Sequence, residues 1–588
     1  MACLNRCATT CDSPSRPDLP RGYTMTRQTC LAALAALVAV AASVIVPTVR
    51  AQQAAADLVL TNGKIITVDD RFTIAQAVAI RGERIVAVGT NQDIARLAGP
   101  STRRIDLRGR AVVPGLIDNH AHYMEEGVLW TDELRLDNVD TRKQALEMIR
   151  AKAASLPAGR WVYTLGGWST DQFTDDKQRP VTKAELDKAA PNHPVLLQVT
   201  RAETYLNSRA VEVLGLVKRK DPWIVRDAGG QPTGVLDAGG AYFGPATGVS
   251  EAIAKPTLAQ VEANSMAMIR ELNASGLTAS SGTCPDEFIP IFRGWAKEGR
   301  LNKRFFCITA IGMGNNADTV TKNLPQIAGL KFFQGDNWVD HIAYGEGLYG
   351  PAGDSMVAPK GTQPQEAFEQ WGRIAREVAR AGLPLHAHTT LEHTFNGFLD
   401  QIEKINREFP VRNLRWMLIH DEQVTASHLE RMKNLGVTAG IQPRATIMGG
   451  IYHRAHGDRA YTMPNFQLIQ NSGIIWGLGT DAFEVNQYKP FVTLAFAVTG
   501  RMVGGTVVNK TPVSREAALI AHTRGSAYQI LQENNLGSIA PGKLADLVVI
   551  DRDYLTVPAE QIRDIRSVMT IVGGRVVYDA AASPTSTR

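Results

Sequence analysis

The chain has 588 residues, 44% of them hydrophobic and 21% charged, with 63 basic and 58 acidic side chains for a formal charge of +5. That length holds one large domain plus a smaller one, and the ordinary apolar and charged content excludes both a disordered chain and a multi-span membrane protein. Residues 1–51 contribute five Arg and two Asp, a net +3, so only +2 remains beyond them, too little for a nucleic-acid-binding protein.

In chain order, Met25-Thr-Arg27 is a short basic start, with Met25 a candidate true initiator. An apolar run follows from Cys30 to Val46, and Val49-Arg50-Ala51 sets small residues at the −3 and −1 positions of a cleavage site. The run falls short of the about 20 residues a spanning helix needs. Residues 1–51 are therefore expected to be a bacterial-type signal peptide rather than an anchor, leaving a periplasmic or secreted protein with no stable membrane span. Cys284 and Cys307 alone lie beyond this leader, too far apart for a CxxC motif; they form one disulfide or remain buried thiols.

Residues 57–113 alternate apolar and polar positions between tight turns at Asn62-Gly63 and Gly82-Glu83, a pattern of short strands and hairpins. Similar strands return in 544–553 and 567–579, turning at Gly573-Gly574. Either piece alone would bury little apolar surface, so 52–113 and 536–588 are expected to form one small β-sandwich built from both ends. Between them, residues 114–535 alternate apolar runs with helical patterns, the signature of βα units. The strand candidates are 112–118, 161–167, 194–200, 277–282, 329–335, 383–388, 416–420, 437–443 and 474–481. The segment near 201–260, rich in Gly and Pro, reads as an insertion. The expected fold is α/β, a (β/α)8 TIM-like barrel with active-site residues at the C-terminal ends of its strands.

Asp118-Asn-His120-Ala-His122 closes the first of these strands, and residues i and i+2 of an extended segment point the same way. His386 or His388, His420 and Asp481 end later strands. Imidazole and carboxylate donors gathered at one barrel mouth suit zinc, and also manganese, iron or nickel. His386 and His388 compete for one role, with His388 preferred. His393, His453 and His456 read as surface or loop residues, although a loop at the mouth could recruit His453.

PGLIDNHAHY (114–123) resembles the first-strand signature of the amidohydrolase superfamily, and most of 57–580 is similar to its N-formamide-type, YtcJ-like subgroup. TNGKIITVDD, LNSRAVEVLGL, GVTAGIQP, GLGTDAF and LGSIAPGKLADLVVIDRDYLTVP carry that resemblance. It implies a centre of one or two divalent ions, expected to be zinc. His120 and His122 would hold the first ion, with His388, His420 and Asp481 completing the set. It gives Asp481 a second role as general base toward the attacking water, and lets His420 hold a second ion or stabilise the oxyanion. Lys331 in GLKFFQGD would become a carbamate bridging two ions, or else form an ordinary salt bridge.

The sequence also departs from the family pattern. His388-Thr389-Thr390-Leu391-Glu392 replaces HAIGD, Ile419 stands where a Glu precedes the sixth-strand His, and Gln334-Gly-Asp336-Asn337 replaces an aspartate-glycine-serine stretch. TRAETYLNS lacks the usual His and offers Tyr205. Tyr205, Trp168 and Gln442 are candidate substrate-pocket residues, with core packing the competing role for the first two. The implied activity is hydrolysis of an amide, formamide or cyclic amide C–N bond in a small molecule. The alternatives are ester, deaminase or organophosphate chemistry on the same site, or a non-catalytic periplasmic binding protein. No nucleic-acid partner is expected, and a homodimer stands as an alternative to a monomer.

Overall fold

The computed structural model describes residues 55–582 except 177, 178, 243 and 245. The leader 1–51, with its cleavage site and Cys3, Cys7, Cys11 and Cys30, lies outside the described residues. Among the described residues no helix is long and apolar enough to cross a membrane.

Both ends of the described chain build a pair of sheets. One holds, in spatial order, Arg84–Gly89, Ala77–Arg81, Ala56–Thr61 and Ala98–Asp106. The other runs Arg575–Asp579, Ser567–Val572, Leu547–Ile550, Ala111–Pro114, Lys64–Ile66 and Ile74–Ala75. Alternation places Leu58, Leu60, Val78 and Ile80 of the first against Val112, Leu547, Val549 and Ile571 of the second, and this shared core makes the sandwich. The run 112–118 is therefore two strands and not one. It breaks at Gly115, where an added Cβ would lie 2.2 Å from Thr278 Oγ1, and the chain passes there from sandwich to barrel.

The barrel strands are β1 (Leu116–Asp118), β2 (Leu277–Thr283), β3 (Arg304–Thr309), β4 (Val339–Glu346), β5 (Leu385–Thr389), β6 (Met417–His420), β7 (Thr438–Ile441) and β8 (Trp476–Leu478). All eight are parallel and follow sequence order around the sheet. Just past the strand ends, the Asp481 N–H donates to His120 O (2.9 Å) and the His122 N–H donates to Ala482 O (2.7 Å), joining β8 back to β1 at the mouth. Helices pack outside; Gln365–Arg380 buries Phe368, Trp371, Ile374 and Val378 on one stripe, with Trp371 stacked on Phe398 at 4.0 Å.

Four expectations change. Strands do form at Val162–Leu165 and Val195–Val199, but they pair with each other and with Glu203–Leu206, Pro232–Leu236 and Ile224–Arg226 in a separate five-stranded sheet. The insertion between β1 and β2 thus includes both and begins well before 201. The barrel instead uses β3 and β4, which are absent from the strand candidates. The 329–335 run forms no strand: Phe333 has φ +59°, outside the range of a β-ladder, and the segment is a loop leading into β4.

Candidate metal centre

The mouth of the barrel is fixed by a buried carboxylate before any ligand is placed. Asp118, at the end of β1, accepts hydrogen bonds from Thr480 N (2.9 Å), Thr480 Oγ1 (2.6 Å) and Tyr123 Oη (2.7 Å). That ties the His120–His122 segment to the residue preceding Asp481. His420 and Asp481 then enter the cluster from backbone with positive φ (84° and 62°). For non-glycine residues such backbone costs of order 1–3 kcal/mol each, and it concentrates where function requires a side chain to be aimed.

Six side chains converge: His120, His122, Glu346, His388, His420 and Asp481. Glu346, the last residue of β4, divides its carboxylate between two pairs of imidazoles. Its Oε2 lies 3.4 Å from His120 Nε2 and 3.6 Å from His122 Nε2. Its Oε1 lies 2.9 Å from His388 Nδ1 and 3.3 Å from His420 Nε2. Asp481 Oδ1 completes the first side, 3.5 Å from His120 Nε2 and 3.2 Å from His122 Nε2. Its Oδ2 faces Arg444 Nη1 (3.3 Å) and His420 Nδ1 (3.7 Å).

The spacings on the His120/His122 side fit a cation, while His388 Nδ1 and His420 Nε2 on the other side stand 2.9 Å apart. Donors held about 2.0–2.2 Å from a tetrahedral ion stand about 3.3–3.6 Å apart, and the four distances on the first side span 3.2–3.6 Å. Both ring nitrogens of His120 are buried and lack a hydrogen-bond partner among the described residues, as does His420 Nδ1. A buried polar atom without a partner is costly unless something satisfies it.

The two carboxylates are held in their charged form. Burial raises the Glu346 and Asp481 carboxyls, but the histidines outweigh it and hold both well below the ordinary carboxylate range. Burial disfavours a charged His388, yet Asp354 and Glu346 outweigh it and lift the group to about 10. His120 and His122 are raised in the same way by the carboxylates beside them. His420 is pushed down to about 3, by burial first and then by the Arg444 charge, so it is neutral and ready to ligate.

The outer ring nitrogens of His122 and His388 are held too. His122 Nδ1 meets Glu125 Oε1 (2.7 Å) and Thr283 Oγ1 (2.9 Å), while His388 Nε2 meets Asp354 Oδ1 (3.1 Å). Arg444 is buried, its Nε bonded to Glu422 Oε1 at 2.7 Å. A cavity of about 120 Å³ has Glu125, the carboxylate that meets His122, in its wall with Glu126, Leu165, Tyr242 and Phe483.

Of the residues expected from sequence, the structure brings together His120, His122, His388, His420 and Asp481. His386 is fully buried and stands outside the cluster. Lys331 is a correction. It is exposed in the loop before β4, away from the barrel mouth, and the acidic group shared by the two histidine pairs is Glu346.

The substrate-pocket expectations also change. Trp168 is fully buried, its indole N–H donating to Thr164 Oγ1 at 3.0 Å, and Tyr205 is buried in the same core with its hydroxyl donating to Glu203. Gln442 is a brace: it accepts from the His420 N–H (2.9 Å) and donates to Asn119 Oδ1 (2.8 Å). His456 bonds Met356 O, His393 bonds Gln363 O and His453 packs on Tyr461, none of them in the cluster.

Residues 103–578 match the model of the Amidohydrolase family. The chain belongs to that family. The amidohydrolase is 25% identical over 553 residues to the N-substituted formamide deformylase of Arthrobacter pascens, an alignment covering 90% of this chain and 99% of the relative. In fold it is similar to an uncharacterized metal-dependent hydrolase from Pyrococcus horikoshii OT3, with TM-score 0.60 and 21% identity over 85% of this chain and 99% of the other. It is also similar to atrazine chlorohydrolase from Arthrobacter aurescens TC1 complexed with zinc, with TM-score 0.50 and 17% identity over 90% and 97% of the two chains. This amidohydrolase is therefore an enzyme, a metal-dependent hydrolase of C–N bonds.

Proposed function

We propose that this amidohydrolase uses an ion on each side of Glu346 to hydrolyse an amide, formamide or cyclic amide bond of a small exported-compartment substrate. The observation that carries this is the division of the Glu346 carboxylate between the His120/His122 and His388/His420 pairs. Imidazole and carboxylate donors favour zinc, the metal bound in the atrazine chlorohydrolase. His120, His122, Glu346 and Asp481 would hold one ion, and Glu346, His388 and His420 the other. Bound there, the metal supplies Lewis-acid polarisation of the carbonyl and a lowered water pKa.

The chain's own residues do the rest. Asp481 takes the proton of the attacking water and returns it to the leaving nitrogen. Arg444 fixes Asp481 through its outer oxygen, leaving Oδ1 facing the two histidines. Glu125 and Thr283 orient His122, and Asp354 orients His388 so that Nδ1 faces inward. The cavity walled by Glu125 and Phe483 accommodates part of the substrate.

The similarity to the N-substituted formamide deformylase favours N-formyl compounds within this class. The proposal includes export, a reading supported by the leader-like sequence of residues 1–51 and by the Cys284–Cys307 disulfide, a bond that persists in oxidising compartments. The test is elemental analysis of the purified enzyme alongside turnover of N-formyl, N-acyl and cyclic amides. Bound transition metal with metal-dependent release of formate, carboxylate or ring-opened product is expected. Full turnover after complete metal removal would overturn the reading.

A further inference from the structure

The residues that end β2 all bear on the His120–His122 segment. Ser281 O accepts the Ala121 N–H at 2.9 Å. Gly282 packs so closely that an added Cβ would lie 1.6 Å from Ala121 O. Thr283 Oγ1 stands 2.9 Å from His122 Nδ1, the ring nitrogen turned away from the cluster, where Glu125 Oε1 meets it at 2.7 Å. The β2/β3 ladder stops at the Thr283–Ile308 pair. Beyond that point the chain is held to β3 by a covalent link, the disulfide from Cys284 to Cys307. Both sulfurs belong to buried residues, 8% and 0% exposed.

We propose that Thr283 and the Cys284–Cys307 disulfide act as one positioning bracket for His122, so that the thiol state of the chain sets how firmly the His120/His122 side retains its ion. This rests on the reading of His122 as a metal ligand. A hydroxyl can orient an imidazole only if its own backbone is fixed, and the fixing element past the end of the ladder is the neighbouring cystine. Two electrons and two protons from a dithiol convert the disulfide to two thiols, the dithiol becoming a cyclic disulfide. Residue 284 is then free of β3, and Thr283 is left at the end of the ladder, held only by its pairing with Ile308. A chain still reduced before export would hold metal weakly; oxidation would complete the site.

The test uses the full mature enzyme as Thr283→Val, Cys284→Ser/Cys307→Ser, and the combination, with ion retention measured by chelator competition. Each change is expected to weaken retention on the His120/His122 side about 10- to 100-fold, as for other residues that orient a metal-bound histidine. Because they act through one bracket, the combined variant should be no weaker than the worse of the two. Parental retention in Thr283→Val, or losses that multiply, overturns the proposal. If the serine variant does not fold, Thr283→Val alone decides by the same criterion. A parent enzyme that binds no ion would instead overturn the metal-centre reading, a result distinct from failure of the bracket.

Discussion

Glu346→Gln tests the bridging carboxylate with almost no change in shape. The native side chain offers Oε2 to His120 and His122 at 3.4 and 3.6 Å and Oε1 to His388 and His420 at 2.9 and 3.3 Å. Glutamine keeps one neutral oxygen and replaces the other with an amide NH2, which cannot ligate a cation. One side therefore loses a donor outright, and both lose the shared negative charge. Removing one partner from a buried charged arrangement costs about 3–5 kcal/mol, roughly two to three and a half decades in Kd at about 1.4 kcal/mol per tenfold. A thousandfold weaker ion would remove about 4 kcal/mol of metal-linked stability at saturating metal. Chelator competition gives the Kd, and melting with and without metal gives the linkage. The expected result is a much smaller gap between the metal-loaded and metal-free Tm. A Glu346→Gln variant that retains metal as the parent does would refute the assignment.

Other perturbations read other parts of the centre. Lys331→Ala changes an exposed loop residue, so stability should move by no more than about 0.5 kcal/mol, and metal loading should proceed equally without bicarbonate; a bicarbonate requirement would restore the carbamate. Asp481→Asn should reduce kcat by about 10²–10⁴-fold, the usual contribution of a positioned general base, with native circular dichroism; unchanged turnover would remove Asp481 as the base. Arg444→Met leaves Glu422 buried without its cation and should destabilise the protein by about 3–5 kcal/mol in urea titrations of the metal-free form.

The pH dependence has a definite sign. In the metal-free protein, burial opposes His388 protonation but Asp354 and Glu346 outweigh it and raise the group to about 10. Its stabilisation is thus complete below the unfolded value of about 6.5 and is lost as pH rises from there through 10. Metal requires the neutral ring, so the Tm gained on adding metal should widen over the same interval. A gap that narrows with rising pH would contradict this.

Much of the centre was legible because each of its histidines and Asp481 ends an apolar run, the pattern a barrel strand imposes on its C-terminal residue. Glu346 was not. Its strand carries Asp340 and His341 within it, while the neighbouring GLKFFQG is more apolar and contains a lysine, so the local pattern favoured the wrong segment. β3 was hidden for a related reason. It opens on Arg304, whose buried charge is matched by Asp546 of the sandwich at 2.9 Å, a partner 242 residues away in sequence. The strands at 162–165 and 195–199 have the apolar character of barrel strands, and only pairing reveals that they form the inserted sheet. Trp168 and Tyr205 sit in that insertion's core, where aromatic bulk serves packing.

The most direct test of the account is metal titration of the stripped enzyme, with turnover of an N-formyl substrate followed at each step. The expected result is an ion on each side of Glu346 and turnover that rises as both sides fill. Full turnover without bound metal, or saturation that leaves the His388/His420 side empty, would contradict it.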